Sequence, residues 1–439
     1  MDRLLAIRRQ MFGSKKIDFV DPEVERLCAI NWGNGTSITY AQAAKVTNLG
    51  NVFTGNTTIT SFDELKYFTG LTYLYGANNV STGAFSGCTS LVSITLPDSL
   101  VDIRQNVFNG CTSLVSCTGG NVTNFGLQAF QNCTSLENID ISKAVTIGNI
   151  VFESCPLTGI VLNLPYLTSI GARAFNNTGI VKISNLGSVT SLPDHNYGYG
   201  VFSNCSSLVE VNLPSGLTYI GSYCFINDTA LTTVIINGNT TFRVRDYAFQ
   251  SCTSLVTFPF SNVHEIDARA FRYTGITTLH APNLTTLAGD YMFGDALISI
   301  TSLGSATSLP NNSFRQIAGL SSVVLPNTLT TIGSSVFYRT NNLLSVTIPA
   351  SVTSIGGEAF QTNNNPERAK TYIILATTPP SLGSNVFYNY KGGYNINNVS
   401  IYVPYSADHS ILNTYKSASV WSTYATRIFE LDENGNIPA

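Results

Sequence analysis

Residues 94–114 read ITLPDSLVDIRQNVFNGCTSL, and this line recurs along the chain. Residues 211–221 repeat its first half as VNLPSGLTYIG, and residues 346–356 repeat it as VTIPASVTSIG. The phenylalanine of the line recurs at fourteen positions, separated by eleven gaps of 21–24 residues and two gaps of 27. These positions are Phe85, Phe108, Phe130, Phe152, Phe175, Phe202, Phe225, Phe249, Phe271, Phe293, Phe314, Phe337, Phe360 and Phe387. Repetition at this spacing is typical of a solenoid, in which each coil buries its apolar side only against its neighbours.

Each repeat line predicts one coil of the solenoid. The segment that ends at Leu96 alternates apolar and polar residues with period two, which is typical of a short strand. Pro97 then turns the chain. A second apolar pair, Leu100 and Ile103, runs down the opposite side, and Phe108 closes the coil by inserting its ring into the stack. We therefore expect a solenoid over residues 71–404, with short parallel strands on one face.

The repeat resembles the BspA-like (treponemal-type) leucine-rich repeat, whose line is approximately L-x-x-I-x-L-P-x-S-V-T-x-I-G-x-x-A-F-x-x-C. The likeness covers residues 71–404, and a dozen near-copies make it specific. The resemblance implies an α/β solenoid wound as a right-handed leucine-rich repeat coil. It also implies a non-catalytic, extracellular scaffold for binding and adhesion.

The two ends of the chain are predicted to be caps. Residues 17–70 should form a helical N-terminal cap, with two short helices around Gly33-Asn34-Gly35. This loop has no carboxylate, whereas a calcium loop needs several, so we predict no metal there. Residues 405–439 resemble the family's C-terminal strand-helix cap. Its buried stripe is expected to consist of Leu412, Tyr415, Trp421 and Tyr424.

Composition and charge exclude several classes of partner. Charged residues make up only 11% of the chain, and its formal net charge is −3. That balance gives no electrostatic reason to expect nucleic acid or an anionic membrane as a partner. No apolar run approaches the ~18 residues that cross a bilayer, and arginines interrupt the start where a signal peptide would be apolar. We therefore expect no membrane insertion. Either a signal peptide has been trimmed from this sequence, or the protein leaves the cell by a route other than general secretion.

The nine cysteines mostly follow the repeat. Cys88, Cys111, Cys133, Cys155, Cys205 and Cys252 each lie three residues after a repeat phenylalanine. Equivalent positions of adjacent coils stack about 4.8 Å apart, which is within disulfide range. Other coils have Thr or Asp at this position, which a network of bridges would not predict. Free buried thiols are the favoured interpretation, and disulfides remain the alternative.

No catalytic or cofactor motif accompanies the repeat. His195, His264, His280 and His409 each fall in a different coil or loop, outside any nucleophile-elbow or metalloprotease motif. No phosphate-binding glycine motif and no Cys-x-x-Cys pair occurs in the sequence. We therefore predict that the chain is not an enzyme and has no cofactor or metal.

Candidate ligand contacts lie on the sheet face and in two long coils. The outward strand positions form two polar columns, although most of these side chains could simply solvate the sheet. The long coils contain tyrosines among glycines, a composition suited to contacts with proteins or to stacking on sugar rings. The predicted partner is a protein or a cell-surface glycan. The candidates are Asn138, Asp140, Glu210, Asn212 and His280 in the columns, and His195, Tyr197, Tyr199, Tyr388, Tyr390 and Tyr394 in the long coils.

Residues 1–16 form a basic, amphipathic start that is either a docking peptide or a frayed tail. It resembles the Arg-rich starts of structural proteins in phages of gut bacteria, which leave the cell by lysis. The favoured hypothesis is therefore a phage structural adhesin, attached to other virion proteins by this segment and displayed on the virion. The alternatives are a bacterial surface adhesin with atypical export and a cytoplasmic interaction scaffold. The assembly candidates are Arg3, Leu4, Ile7, Arg8, Arg9 and Met11.

Overall fold

The computed structural model describes residues 14–76, 83–194, 198–238, 240–362, 368–389 and 396–438. The chain divides into two compact units, Met1–Gly216 and Leu217–Ala439. In each unit, short parallel strands stack coil upon coil, as the repeat predicted.

Two helices precede the first coils, as expected. Helix α1 spans Pro22–Trp32 and helix α2 spans Tyr40–Ala43. Asp21 caps α1, because its Oδ1 accepts hydrogen bonds from the N–H groups of Glu23 and Val24 at 2.9 and 3.1 Å. Its Oδ2 accepts from Thr60 N at 2.6 Å, which ties the helix to the first coil. Burial raises the pKa of Asp21, but these hydrogen bonds outweigh it and the pKa lies below its usual value.

The repeat line of the first unit forms a front ladder of strands. Ser61, Ser93, Ser116 and Asn138 occupy equivalent positions in adjacent strands of one sheet. The inward residues between them are buried, as Ile94 is, because successive side chains of a strand point to opposite faces. The strands are Ser61–Phe62, Ser93–Leu96, Ser116–Gly119, Asn138–Ile139, Val161–Asn163, Lys182–Asn185 and Glu210–Leu213.

A back ladder of strands lies at the second apolar pair of each line. The sequence indicated that this pair is buried on the opposite side, but not that it pairs as strands. Each of its strands is only two residues long in the first unit. They are Tyr73–Leu74, Asp102–Ile103, Asn124–Phe125, Thr146–Ile147, Ser169–Ile170 and Ser191–Leu192. A short 3₁₀ turn, Asp63–Tyr67, precedes the first of them.

The second unit contains both ladders as well. Its front strands are Thr233–Ile236, Thr278–His280, Ser299–Ser302, Ser322–Val323, Ser345–Ile348, Lys370–Ile374, Val399–Val403 and Ile428–Glu430. Its back strands are Tyr219–Ile220, Phe242–Val244, Val263–Asp267, Thr286–Ala288, Ser308–Leu309, Thr331–Ile332, Ser354–Ile355 and Ser381–Leu382. One front position, Thr257, lies outside any strand. Pro259 follows it and cannot donate to a ladder, and the chain forms a 3₁₀ turn over Phe260–Asn262 instead.

The phenylalanine rings form a continuous stack within each unit. In the first unit the ring centroids of Phe108 and Phe130 lie 4.9 Å apart, and those of Phe130 and Phe152 lie 5.5 Å apart. In the second unit the separations run from 5.1 Å at Phe225–Phe249 to 6.0 Å at Phe293–Phe314. All of these rings are buried and nearly parallel. Such offset pairs contribute roughly 0.5–1.5 kcal/mol each beyond the burial of their area.

The cysteines are free and buried, as the favoured interpretation predicted. Thiols of the repeat ladder donate to the carbonyl oxygen of the phenylalanine one coil earlier. Cys111 Sγ lies 3.0 Å from Phe85 O, and Cys133 Sγ lies 3.1 Å from Phe108 O. Burial also raises the pKa of the Cys117 thiol to about 12, which disfavours the reactive thiolate.

The last coil is closed by aromatic residues. Helix α3 spans Ser410–Ser417 and is followed by a 3₁₀ turn over Trp421–Arg427. Tyr415, Trp421 and Tyr424 are buried as predicted, whereas Leu412 is only half-buried. The indole Nε1 of Trp421 donates to Pro380 O at 2.7 Å, so the apolar end of the stack is covered without an unpaired donor.

Candidate functional site

The predicted sheet columns exist, but their side chains largely pair with one another. Lys182 Nζ lies 3.0 Å from Glu210 Oε1 on the neighbouring strand. His280 Nδ1 lies 3.0 Å from Thr301 Oγ1, also one coil away. Asn212 Nδ2 donates to the backbone of the preceding coil at 3.3 Å. These contacts are those expected of a solvated sheet face.

Two column candidates of the first unit are more exposed. Asn138 is exposed at the start of its strand. Asp140 lies just beyond the end of that strand, where its Oδ1 accepts from Ser142 N at 2.9 Å. Hydrogen bonds from the side chain and backbone of Ser142 lower the pKa of Asp140. Asp140 therefore closes a turn and does not continue the column.

The long-coil candidates are only partly within the described residues. Tyr199 is 43% exposed, and the guanidinium of Arg173 lies 5.2 Å from its ring centroid. Tyr388 is half-buried and packs edge-on against Tyr424, so it belongs in part to the C-terminal cap. The remaining candidates lie outside the described residues, namely His195, Tyr197, Tyr390 and Tyr394 of the long coils and Arg3, Leu4, Ile7, Arg8, Arg9 and Met11 of the start.

A cavity of about 330 Å³ lies against the back ladder of the first unit. Tyr75, Arg104 and Asn124 are among the residues that line it. Asp102 holds Arg104 Nε at 3.2 Å, and the rings of Tyr73 and Tyr75 lie 4.8 and 5.4 Å from its guanidinium. The arginine is thus already paired with a carboxylate and packed on two rings.

The second unit carries a denser cluster of arginine and tyrosine, which we call the Arg–Tyr patch. The guanidinium of Arg272 lies 4.6 Å from the ring centroid of Tyr273 and 4.9 Å from that of Tyr291. Arg315 and Arg339 approach the ring of Tyr338 at 4.5 and 5.1 Å. Cation–π contacts of this kind contribute about 0.5–1 kcal/mol at exposed sites. The patch consists of Tyr247, Arg269, Arg272, Tyr273, Tyr291, Arg315, Tyr338 and Arg339.

The patch residues occupy three positions of the repeat. These are the second residue before the phenylalanine, the first residue after it and the second residue after it. The first and third of these positions have a left-handed backbone in many coils, with glycine at Gly110 and asparagine at Asn106 and Asn132. Bulky residues take these positions in the patch, with φ of +61° at Tyr273 and +48° at Tyr291, as they also do at Ile150, Arg173 and Tyr223 outside it. A non-glycine residue in this region costs on the order of 1 kcal/mol or more.

Sequence reasoning missed this patch although the signal was present. Six arginines fall between residues 243 and 339, and four of them lie within two residues of a repeat phenylalanine. Aligning the coils on phenylalanine therefore places Arg and Tyr in three columns that in other coils are mainly Gly, Asn, Gln or Ser. Alternation gives a clear direction to side chains only in the strands, and the patch lies outside them.

A buried ion pair lies on the back ladder of the second unit. Arg243 Nη2 contacts Asp267 Oδ2 at 2.8 Å and Glu265 Oε1 at 3.3 Å. Burial of Asp267 outweighs the charge of Arg243 and raises the pKa of the carboxyl to about 6. The charge of this carboxyl therefore changes at mildly acidic pH.

Neither a metal site nor a membrane span emerges from the described part of the chain. No three His, Cys, Asp or Glu side chains in it converge as metal ligands would. None of its helices has the length and apolar character to cross a bilayer.

Several solved structures of bacterial leucine-rich proteins match this chain. A leucine-rich repeat protein from Bacteroides ovatus gives a TM-score of 0.56 at 21% identity, over 80% of this chain and 86% of that one. The T. pallidum leucine-rich repeat protein TpLRR gives 0.31 at 22% identity, over 43% of this chain and 78% of that one. A leucine-rich cell surface protein from Faecalibacterium prausnitzii gives 0.28 at 20% identity, over 75% and 83%. No curated protein matches the chain.

The repeat itself matches a known family. The profile of the BspA type leucine rich repeat region, six copies long, matches residues 57–181, 168–297, 243–367 and 293–403. Together these matches run from residue 57 to residue 403. The chain therefore belongs to the BspA-type leucine-rich repeat family.

Proposed function

We propose that this protein is a recognition and adhesion module, displayed at the surface of a virion or cell, that binds a host glycan or protein. Proteins built from leucine-rich repeats are in general non-enzymatic interaction scaffolds, which supports a binding function over a catalytic one. The observation that carries the proposal is the Arg–Tyr patch.

The composition and exposure of the patch support a binding role. Tyr273, Tyr291 and Arg269 all have positive φ, a conformation that Gly or Asn would adopt at lower cost. The stack does not require these side chains, because Tyr273 is 51% exposed and the phenylalanines fill the core. Tyrosine and arginine are also the residues enriched where proteins bind their partners.

The long coils and the start are part of the same proposal. Tyr199 repeats the arginine–tyrosine pairing of the patch through Arg173, at 5.2 Å. We propose that the tyrosines of the long coils add contacts to the ligand. The basic segment 1–16 would attach the module to other virion proteins.

Binding of the purified chain to a glycan array and to host cells tests the proposal. We expect binding that weakens when Tyr273 and Tyr291 are replaced by Ser, with little change in melting temperature, because loop and surface side chains contribute little to the stack. Tyr166→Ser is the matched control, since Tyr166 is 65% exposed and lies outside the patch. Absence of binding to all glycans and cells, or turnover of any polymer by the chain, would contradict the proposal.

Two further variants test the remaining parts. Replacing Tyr197, Tyr199, Tyr390 and Tyr394 by Ser should weaken cell binding if the long coils touch the ligand. Deleting residues 1–16 should abolish incorporation into particles and lower the melting temperature only slightly, because the described contacts that are lost include the hydrogen bond from Tyr40 N to Lys15 O and the bridge between Lys16 and Thr39. A truncated chain that still assembles would assign attachment to another surface.

A further inference from the structure

One column of the repeat, the residue that follows each phenylalanine, is a chain of hydrogen bonds in the first unit. Asn109 Nδ2 donates to Gln131 Oε1 at 3.0 Å, and Gln131 Nε2 donates to Glu153 Oε2 at 3.1 Å. From the other side, Asn176 Nδ2 donates to Glu153 Oε1 at 2.9 Å. Glu153 is buried, and its carboxylate, which also forms an ion pair with Arg173, is the acceptor between donors on both neighbouring coils.

In three successive coils of the second unit, the same column has two donors with no acceptor between them. Its successive residues are Arg272, Gly294 and Arg315, so the position between the two arginines has no side chain. A Cβ at Gly294 would lie 2.7 Å from Tyr273 N and 3.0 Å from Tyr273 Cα, so only glycine fits this close approach. The gap is a cavity of about 170 Å³, lined by Arg272, Gly294 and Arg315 together with Tyr273, Tyr291 and Asp295.

Among the described residues, the two arginines at this gap form no ion pair, although the carboxylate of Asp295 also lines the cavity. Over the described residues, neither Arg272 nor Arg315 has a carboxylate oxygen within 4.0 Å, whereas Arg269 pairs with Asp290 at 3.5 Å. Arg315 Nη1 donates to Asn312 Oδ1 at 3.0 Å, which uses one of its five donors. The column in the first unit holds a carboxylate between amide donors. Here the donors are two guanidinium groups, whose paired N–H groups match a carboxylate more closely.

We propose that the gap at Gly294 binds the carboxylate of an acidic saccharide, one hexuronic acid unit at a time. Arg272 and Arg315 donate to the carboxylate from the two neighbouring coils. The rings of Tyr273 and Tyr291 offer faces on which the sugar ring stacks. Asp295 and Gln316, which also line the cavity, accept hydrogen bonds from its hydroxyls. This inference rests on the proposed recognition function and assigns a ligand class to part of the Arg–Tyr patch.

A hexuronic acid suits this site better than an acidic peptide. The cavity is well below the roughly 300–1,000 Å³ of sites for drug-sized ligands, and it suits a single ring. Its lining places acceptors such as Asp295 beside the arginines. A sugar acid bears hydroxyl donors for those acceptors, whereas the side chain of an aspartate or glutamate in a peptide bears none.

Calorimetry with two hexuronic oligosaccharides tests the inference, namely tri-galacturonic acid and a hyaluronan tetrasaccharide. We expect the full chain to bind at least one of them. The methyl ester of the oligosaccharide that binds keeps the sugar ring but loses the charge, and it should bind at least tenfold more weakly. Arg272→Gln and Arg315→Gln should each weaken binding at least tenfold, equivalent to about 1.4 kcal/mol. Tyr273→Ala should weaken it several-fold, because a stacking face is lost.

Arg26→Gln is the matched control, because Arg26 lies on the exposed face of α1 and the change in net charge is the same. This variant should bind as the unaltered chain does. Melting curves of each variant establish that it is folded. The inference is overturned if neither oligosaccharide binds, if the ester binds equally well, or if both arginine variants bind normally. Equal affinity for hexaglutamate would likewise overturn it in favour of an acidic protein ligand.

These outcomes are separable from failure of the proposed function. If the chain binds cells or arrayed glycans but not the two acids, recognition stands and the site at Gly294 is wrong. If nothing on the array or on cells is bound but the acids bind and depend on Arg272 and Arg315, the site is correct and the surface function is wrong.

Discussion

Removing a single ring from the phenylalanine stack should destabilise the first unit. Two substitutions at the same position separate the contribution of ring stacking from that of apolar burial. Phe130 is fully buried, and its ring lies 4.9 Å from that of Phe108 and 5.5 Å from that of Phe152. Phe130→Ala removes the ring and leaves a cavity, which we expect to lower the free energy of unfolding by about 3–5 kcal/mol. Phe130→Leu keeps most of the volume but loses two stacked ring pairs and a tilted pair with Phe125 at 6.4 Å; the two stacked pairs alone give an expected loss of about 1–3 kcal/mol.

Urea unfolding followed by far-UV circular dichroism measures both variants. Tyr166→Ala is the control, because Tyr166 is 65% exposed and should change the free energy of unfolding by less than about 0.5 kcal/mol. The reasoning would be refuted if Phe130→Ala cost under about 1 kcal/mol, or if Leu were as damaging as Ala. The first result would mean that neighbouring coils close over the gap. The second would mean that ring geometry, not volume, holds the coils together.

Three further predictions concern thiols and titration. The nine buried cysteines should react slowly with a thiol reagent in the native state, and unfolding without reductant should release all nine; recovery of fewer would reveal disulfides. Asp21→Ala should lower the free energy of unfolding by about 1–2 kcal/mol at neutral pH, because the cap of α1 and the bonds from Thr60 are lost. The pKa of Asp21 is lowered in the folded state, so its contribution to the free energy of unfolding is present above the usual pKa of about 4 and is lost as the pH falls below that value. The stability of the Asp21→Ala variant should therefore depend less on acid pH in urea titrations. An unchanged acid profile would argue against this. The pKa of Asp267 is instead raised to about 6, so its contribution to the free energy of unfolding is present below about pH 4 and is lost as the pH rises to 6. Asp267→Asn should therefore make the free energy of unfolding less dependent on pH between about 4 and 6. Identical pH slopes for the variant and the unaltered chain would contradict the shift.

The sequence was sufficient to predict the coil because the coil is built from local periodicity. Leu96, Pro97 and Phe108 each have a single position in the line, and a solenoid repeats that position in space. The back ladder was harder to predict. Its strands, such as Asp102–Ile103, are only two residues long, too short for alternation to distinguish a strand from an extended turn.

The candidate site was predictable only where a side chain has one possible direction. In the strands, alternation correctly placed Glu210 and His280 on the outer face, but did not reveal that Lys182 and Thr301 would pair with them. The Arg–Tyr patch lies in turns with a left-handed backbone, as at Tyr273, and no periodicity assigns a direction there. The gap at Gly294 depends on what two neighbouring coils place on either side of a glycine, which a single line of sequence does not contain.

The left-handed positions of the repeat have a consequence for how this protein could be redesigned. The backbone at Asn106, Tyr247 and Tyr273 has nearly the same φ, although the three side chains share no chemistry. The turn therefore prescribes a conformation and leaves the side chain open, while the core is specified by other residues of the same line. A library randomised at these positions, coil by coil, should yield folded chains whose stabilities differ by no more than the cost of a positive φ at each position and which differ in what they bind. Binding specificity could then be assembled coil by coil, because each coil contributes its own side chains to the surface independently of the others.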